Sequence, residues 1–247
     1  MSTIYILWLR QLKRYFRSKS RMIGSLGQPI LFLLALGYGL GPVFQSAGQG
    51  NYLNFLAPGI VGMGIIFTSI FSGIEIIWDR QFGFLKETMV APVSRLNIMI
   101  GRTLGGATVA TFQGILVLIL ASIAGFRPVS FALIIPAIFV MLLVALLFTA
   151  LGTAIASRLD DMQGFQLIMN FLVMPLFFLS GALFPLQATG VLTDIAKFDP
   201  LSYGVDALRA LLINSSFYGL TTDIAVLSVV TILCLVVGSW SFSKIQI

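Results

Sequence analysis

Six long apolar runs govern what this chain can become. They lie at 22–43, 52–78, 103–125, 129–156, 165–184 and 223–240, and each approaches or exceeds the ~20 residues a helix needs to cross the hydrocarbon of a bilayer. Backbone N–H and C=O groups at that depth find no water, so each run must satisfy them internally, and a helix does this within one segment. Only 10% of the 247 residues are charged, against about 25% in a soluble domain, and mean hydropathy is +1.00. The expectation is an all-α membrane protein with six transmembrane helices in a single transmembrane domain over 1–247.

The segments between the runs carry the charge. Residues 1–21 place Ile4, Trp8, Leu12, Tyr15 and Phe16 against Arg10, Lys13, Arg14, Arg17 and Arg21, a two-faced helical spacing that predicts an amphipathic interfacial helix. A secretory leader is the competing reading, which the long basic region and the missing cleavage context disfavour. The pI of 9.8 does not point to nucleic acid, because the basic residues flank apolar runs, where positive charge sets topology. Twelve Lys and Arg fall on one side of the six runs, whereas only Arg127, Lys197 and Arg209 fall on the other. The positive-inside rule then makes both termini and the segment 79–102 cytoplasmic, in an inner or plasma membrane.

Catalytic chemistry has little to work with. Histidine is absent and Cys234 is the single cysteine, which removes imidazole bases, cysteine metal sites and internal disulfides. No GxxxxGK[ST] run exists, so the chain has no P-loop of its own, and no GxSxG elbow appears. The acids Asp194, Asp199 and Asp206 could serve a membrane enzyme at one interface, but no nucleophile accompanies them. A self-sufficient channel or secondary transporter is the other alternative, usually marked by buried charge or an internal repeat, neither of which is evident.

Several residues inside the runs invite both a functional and a structural reading. Gly37 with Gly41, and Gly101 with Gly105, form small-xxx-small steps that permit close helix contact, or else reflect how common glycine is in membrane helices. Glu75 is the one acid in the second run; it either serves gating or coupling, or snorkels to the interface with a local partner. Phe67 and Phe71 on the second run, and Asn170, Phe171 and Phe178 on the fifth, are candidates for a translocation path, with ordinary helix packing or lipid contact as the alternative. The mixed segment 185–222 predicts a short helix dipping into the membrane edge after Pro200. Its Asp206 and Arg209 share a helical face, as a functional pair or as a solvated one of little energetic worth.

The polar island 79–102 interrupts the apolar pattern most sharply. Gly83 and Pro92 bracket a short helical candidate with Leu85 and Met89 on one face and Lys86 beside Glu87. Such a helix suits a groove on a soluble partner, or else lies flat on lipid headgroups as a connector; the pattern leaves both open.

Several short stretches bear a resemblance in their order and spacing. These are Gln28-Pro29, Phe55-Leu56-Ala57-Pro58-Gly59-Ile60, Gly83 through Pro92-Val93-Ser94-Arg95 with Gly101-Arg102, Leu179-Ser180-Gly181-Ala182-Leu183-Phe184-Pro185, Asp199-Pro200-Leu201-Ser202-Tyr203 and Asp206-Ala207-Leu208-Arg209. Over almost its whole length the chain resembles a permease subunit of the ABC-2 exporter family. The resemblance implies that Phe82 to Arg95, including Phe82, Gly83, Phe84, Leu85, Lys86, Glu87, Met89, Pro92 and Arg95, forms a cytoplasmic coupling helix that docks on a separate ATP-binding subunit. It further implies short outward-facing re-entrant helices between spans 5 and 6, matching 185–218. Two ATPase subunits carrying ATP and Mg, a second copy of this chain, and an amphipathic drug, lipid or lipid-linked glycan as substrate belong to the same implication; the chain itself holds no cofactor. One departure touches the docking surface, since family members often carry an acid and a threonine where this chain has Gln81 and Phe84.

Overall fold

The computed structural model describes residues 2–46, 50–85, 88, 93–186 and 190–244. Among them the chain is helical, without strands. The elements are α1 (Thr3–Arg17), α2 (Lys19–Gly39), α3 (Gly41–Ser46), α4 (Tyr52–Phe71), α5 (Ile74–Gln81), α6 (Arg95–Ile123), a 3-10 turn (Phe131–Leu133), α7 (Ile134–Ala156), α8 (Met162–Leu179), α9 (Gly190–Ala196), α10 (Pro200–Ile213) and α11 (Leu220–Ser243). Among the described residues six helical stretches are long and apolar enough to cross a membrane, with α4 and α5 forming one of them together.

Capping residues move the helix ends away from the limits of apolarity. Ser94 accepts a bond from the Asn97 amide and starts α6 at Arg95 rather than Thr103. Asp161 accepts from Gln163 and Gly164, so α8 begins at Met162 rather than Phe165. A side-chain oxygen at such a position satisfies an amide that has no partner within the helix. At the N-terminus the chain breaks at Ser18, ending α1 at Arg17 and opening α2 at Lys19.

Of the membrane-length stretches, the one that contains α4 is the most deeply buried, with α6 and α7 against α4 and α2 alongside. Lipid tails are as apolar as leucine, so helices in a bilayer associate through close packing rather than through exclusion of water, and small residues let backbones approach. At the α4–α5 break a Cβ added to Gly73 would lie 2.5 Å from the Gly152 carbonyl oxygen, and one added to Gly152 would lie 2.5 Å from that of Ile70. The two backbones touch there, which admits no side chain on either. The step Gly101 and Gly105 is the seat of α1: Cβ atoms there would lie 2.9 Å from the Ile4 carbonyl oxygen and 2.7 Å from the Gln11 side chain. Only half of the other step is used, since Gly37 closes on Leu53 whereas Gly41 faces open space.

Helix α10 is the short helix expected after Pro200, and it is more enclosed by protein than the mixed sequence suggests. Asp199 caps it through the Leu201 amide, Pro200 occupies its first turn, and 11 of its 14 residues are buried. It packs against α4, α7 and α11 and closes the end of the bundle remote from α1. In contrast, α8 lies against α4 and α5 with one face and leaves the opposite face uncovered.

Candidate functional site at the basic end

Two carboxylates one helical turn apart organise the end of the bundle that carries most of the positive charge. Glu75 and Asp79 project from one face of α5 and are both buried. Helix α1 offers a matching pair at the same spacing, Arg10 and Arg14. The Arg10 guanidinium donates to both Asp79 carboxylate oxygens at 3.0 and 3.1 Å, and Arg14 stands 3.7 Å from Glu75. The pairing order is reversed between the helices, so α1 and α5 run antiparallel. Two further arginines complete the clamp: Arg21 of α2 donates to Glu75 at 3.0 Å, and the buried Arg102 of α6 pairs with Asp79. Bidentate arginine–carboxylate pairs fix geometry as well as charge, and here they tie one short helix to three others.

The far end of α5 is secured separately. Arg80 pairs with Asp160 and donates to the carbonyl oxygens of Ser157 and Leu159 at 3.2 and 3.4 Å, while the Gln81 amide donates to the Asp160 carbonyl at 3.0 Å. This binds the start of the island to the connection between α7 and α8. Arg95 donates to the Ser243 carbonyl, and the Arg158 and Lys244 cations both lie on the Trp240 ring, at 4.8 and 3.9 Å. The loops at this end are thus cross-linked by cations.

Beyond Gln81 the chain turns through Phe82 and Gly83. Gly83 takes a φ of +81°, a left-handed conformation that glycine adopts without the steric cost of a Cβ. Phe84 resumes helical backbone, and its ring lies 3.8 Å from the Arg10 guanidinium, within range of a cation–π contact. Leu85 is fully buried and anchors the island inward, whereas Phe82 is 78% exposed. Arg95 is the first residue of α6. Lys86, Glu87, Met89 and Pro92 lie outside the described residues.

The remaining candidates fall in two places. Phe67 and Phe71 are stacked at 6.2 Å and form one wall of a cavity of about 240 Å³ between α1, α2, α4, α5 and α6. Asn170, Phe171 and Phe178 all point outward from the uncovered face of α8. No α8 residue lines the cavity, so the five residues do not form one surface within a single chain.

At the opposite end Asp206 and Arg209 prove to be buried, not a solvated pair. Asp206 accepts from the amides of Phe217 and Tyr218 at 2.9 and 2.8 Å and from the Ser216 hydroxyl at 2.9 Å. Arg209 donates to the carbonyls of Ala182 and Phe55 at 2.9 and 3.3 Å and stacks over the Phe55 ring. Burial pulls the Arg209 guanidinium down to about 10, opposed by the charge of Asp206, so it remains a cation at neutral pH. Burial also raises the Asp199 carboxyl to about 7, against the bond from the Leu201 amide.

Among the described residues no group of three or more acids or cysteines could hold a metal ion. Clamps, cavity and uncovered α8 face describe a multi-pass helical membrane protein with a polar island gripped at one end. Residues 2–213 match the model of the ABC-2 type transporter family, and the chain belongs to that family. It is similar to Nodulation protein J of Rhizobium leguminosarum bv. trifolii, 28% identical over 213 residues, covering 85% of this chain and 78% of that protein. It is also similar to "Putative transport permease ycf38" of Cyanophora paradoxa, 28% identical over 218 residues, covering 87% and 75%, and to Nodulation protein J of Azorhizobium caulinodans, 28% identical over 217 residues, covering 86% and 82%. The chain is a transport permease.

Proposed function

We propose that the chain is the permease subunit of an ATP-binding cassette exporter, working as a pair of identical copies with two separate ATPase subunits that bind ATP and Mg. The observation that carries this reading is the double clamp on α5: Glu75 and Asp79 lock the start of the island to α1, α2 and α6 through four arginines. A force applied to the island by a partner passes directly into three further helices. The exposed Phe82, the buried Leu85 and the turn at Gly83 suit a segment that grips its own protein with one face and a partner with the other. By the positive-inside rule the clamped end and both termini are cytoplasmic, the compartment in which ATP is found.

Drawing the ATPases together moves the two islands, and the bundles behind them rock to open a path between the copies. The uncovered α8 face, with Asn170 among Phe171 and Phe178, is the surface on which the second copy would close that path. A polar amide facing lipid has no bonding partner, and a second copy supplies one. Glu75 acts as a coupling residue in this scheme. The cargo is an amphipathic drug, lipid or lipid-linked glycan.

Copurification and activity measurements test the pairing. The isolated chain should hydrolyse no ATP, while a soluble ATPase should copurify from native membranes and be released by charge reversal or deletion within 82–87. Transport by the chain reconstituted without any ATPase would contradict the proposal.

A further inference from the structure

The buried charge at the end closed by α10 does not stop at Asp206 and Arg209. Asp223, in the first turn of α11, is wholly buried. The start of a helix favours an anion, yet among the described residues neither Asp223 oxygen accepts a bond from an amide, a hydroxyl or a cation. A buried carboxylate in that condition is costly. The side chain within hydrogen-bonding reach of it is Asp206, another carboxyl. Two ionised carboxyls both accept and neither donates, so a bond between them requires one proton.

The surroundings decide which of the two carries it. The amides of Phe217 and Tyr218 and the Ser216 hydroxyl all donate to Asp206, so that member of the pair is the acceptor. Arg209, the buried cation at this end, sends its N–H groups to the Ala182 and Phe55 carbonyls, and its charge faces Asp206. An ionised Asp223 would leave one negative charge in excess. The helices packed on α11 supply no further cation: α7 has no ionisable side chain, and on α6 the arginines are Arg95 and Arg102 of the basic end. Arg127 is exposed, and Lys197 is exposed and paired with Asp194. Tyr203 and Tyr218 face the pair, but the Tyr203 hydroxyl donates to the Lys197 carbonyl and that of Tyr218 bonds to nothing. We infer that Asp223 and Asp206 form a proton-binding pair, the proton on Asp223 and directed at Asp206, which fastens the start of α11 to α10. Base in solution breaks the Asp223 O–H bond by taking the proton, and two carboxylates in one enclosed site then repel each other. The fastening is complete at neutral pH and lost on the alkaline side. This goes beyond the permease reading and needs no ATPase.

Infrared spectroscopy of the detergent-purified chain tests it, in an Asp199→Asn background that removes the other enclosed aspartate beside the pair. At neutral pH the spectrum should contain a carboxylic-acid C=O band that moves when the aspartates are isotope-labelled. That band should vanish reversibly at alkaline pH, be missing from Asp223→Asn, and be unchanged when choline replaces sodium. Asp223→Asn keeps an N–H that can be directed at Asp206, so between neutral and alkaline pH its unfolding midpoint should fall less than that of the chain with Asp223. Absence of the acid band, its persistence in Asp223→Asn, an equal alkaline fall of the two midpoints, or loss of the band in sodium alone would each overturn the assignment. If Asp223→Asn does not fold, the absence of a label-sensitive acid band from the Asp199→Asn chain would overturn it equally.

Discussion

The two ends of the bundle bury charge in different ways. At the basic end, acids on α5 meet arginines on α1, α2 and α6, so each pair joins two helices through side chains on both sides. At the opposite end, Asp206 is held mainly by backbone amides and Arg209 by backbone carbonyls. Flexible side chains can keep their partners through small shifts of one helix against another, whereas a charge seated on backbone dipoles is fixed to one arrangement. In the proposed scheme the basic end transmits displacement, and the end closed by α10 stays in place. Each end also exposes a phenylalanine, Phe82 at the first and Phe198, 90% exposed, at the second, which gives matched positions for comparing the two surfaces.

The largest effect should come from Asp79→Ala. It leaves Arg102 buried without its carboxylate and removes the bidentate partner of Arg10, and breaking a buried pair in this way costs about 3–5 kcal/mol. Denaturant titration in detergent should register that loss, and the double change Asp79→Leu with Arg102→Met should recover much of it. Recovery would show that the clamp is not needed for folding, leaving coupling as its use. At the fixed end, Arg209→Lys keeps the charge but not the planar fork that reaches two carbonyls. A loss of about 2 kcal/mol is expected from the same titration.

A pH series sharpens the contrast further. The Asp199 carboxyl is raised from 3.8 to about 7 by burial, so the fold favours its protonated form. Its contribution to stability is complete below pH 3.8 and is lost as pH rises through about 7. Asp199→Asn keeps a capping oxygen and should remove this decline, flattening the dependence of thermal unfolding on pH across that window. The smallest effect belongs to Asp160→Asn. Asp160 is 87% exposed where it meets Arg80, and exposed pairs are worth at most about 1 kcal/mol, so the unfolding midpoint should barely move.

Much of the scaffold was legible because apolar length and the demands of backbone hydrogen bonding leave few choices. The six spans follow from that, and the Gly101–Gly105 step correctly marked a close helix contact. Helix ends were less legible, since apolarity says where hydrocarbon can lie whereas Ser94, Asp161 and Ser18 decide where helices begin and stop. The clamp was missed in a more instructive way. Glu75 stands out in the sequence, but Asp79 is one more polar residue of the island and Arg10, Arg14 and Arg21 read as the basic face of an amphipathic helix, although Glu75/Asp79 and Arg10/Arg14 share a four-residue spacing that hints at paired faces. What sequence could not supply was that α1 folds back to lay one pair on the other across 69 positions. Burial of Asp206 and Arg209 was hidden similarly, because the partners that make it tolerable are backbone groups, which every residue carries.

A photoreactive amino acid placed at position 82 or at position 198, irradiated in native membranes, tests the central claim most directly. If the clamped end is the docking surface, position 82 should capture a soluble ATPase subunit and position 198, which is also exposed, should not. Capture at position 198 alone, or no capture of an ATPase at position 82, would contradict the account.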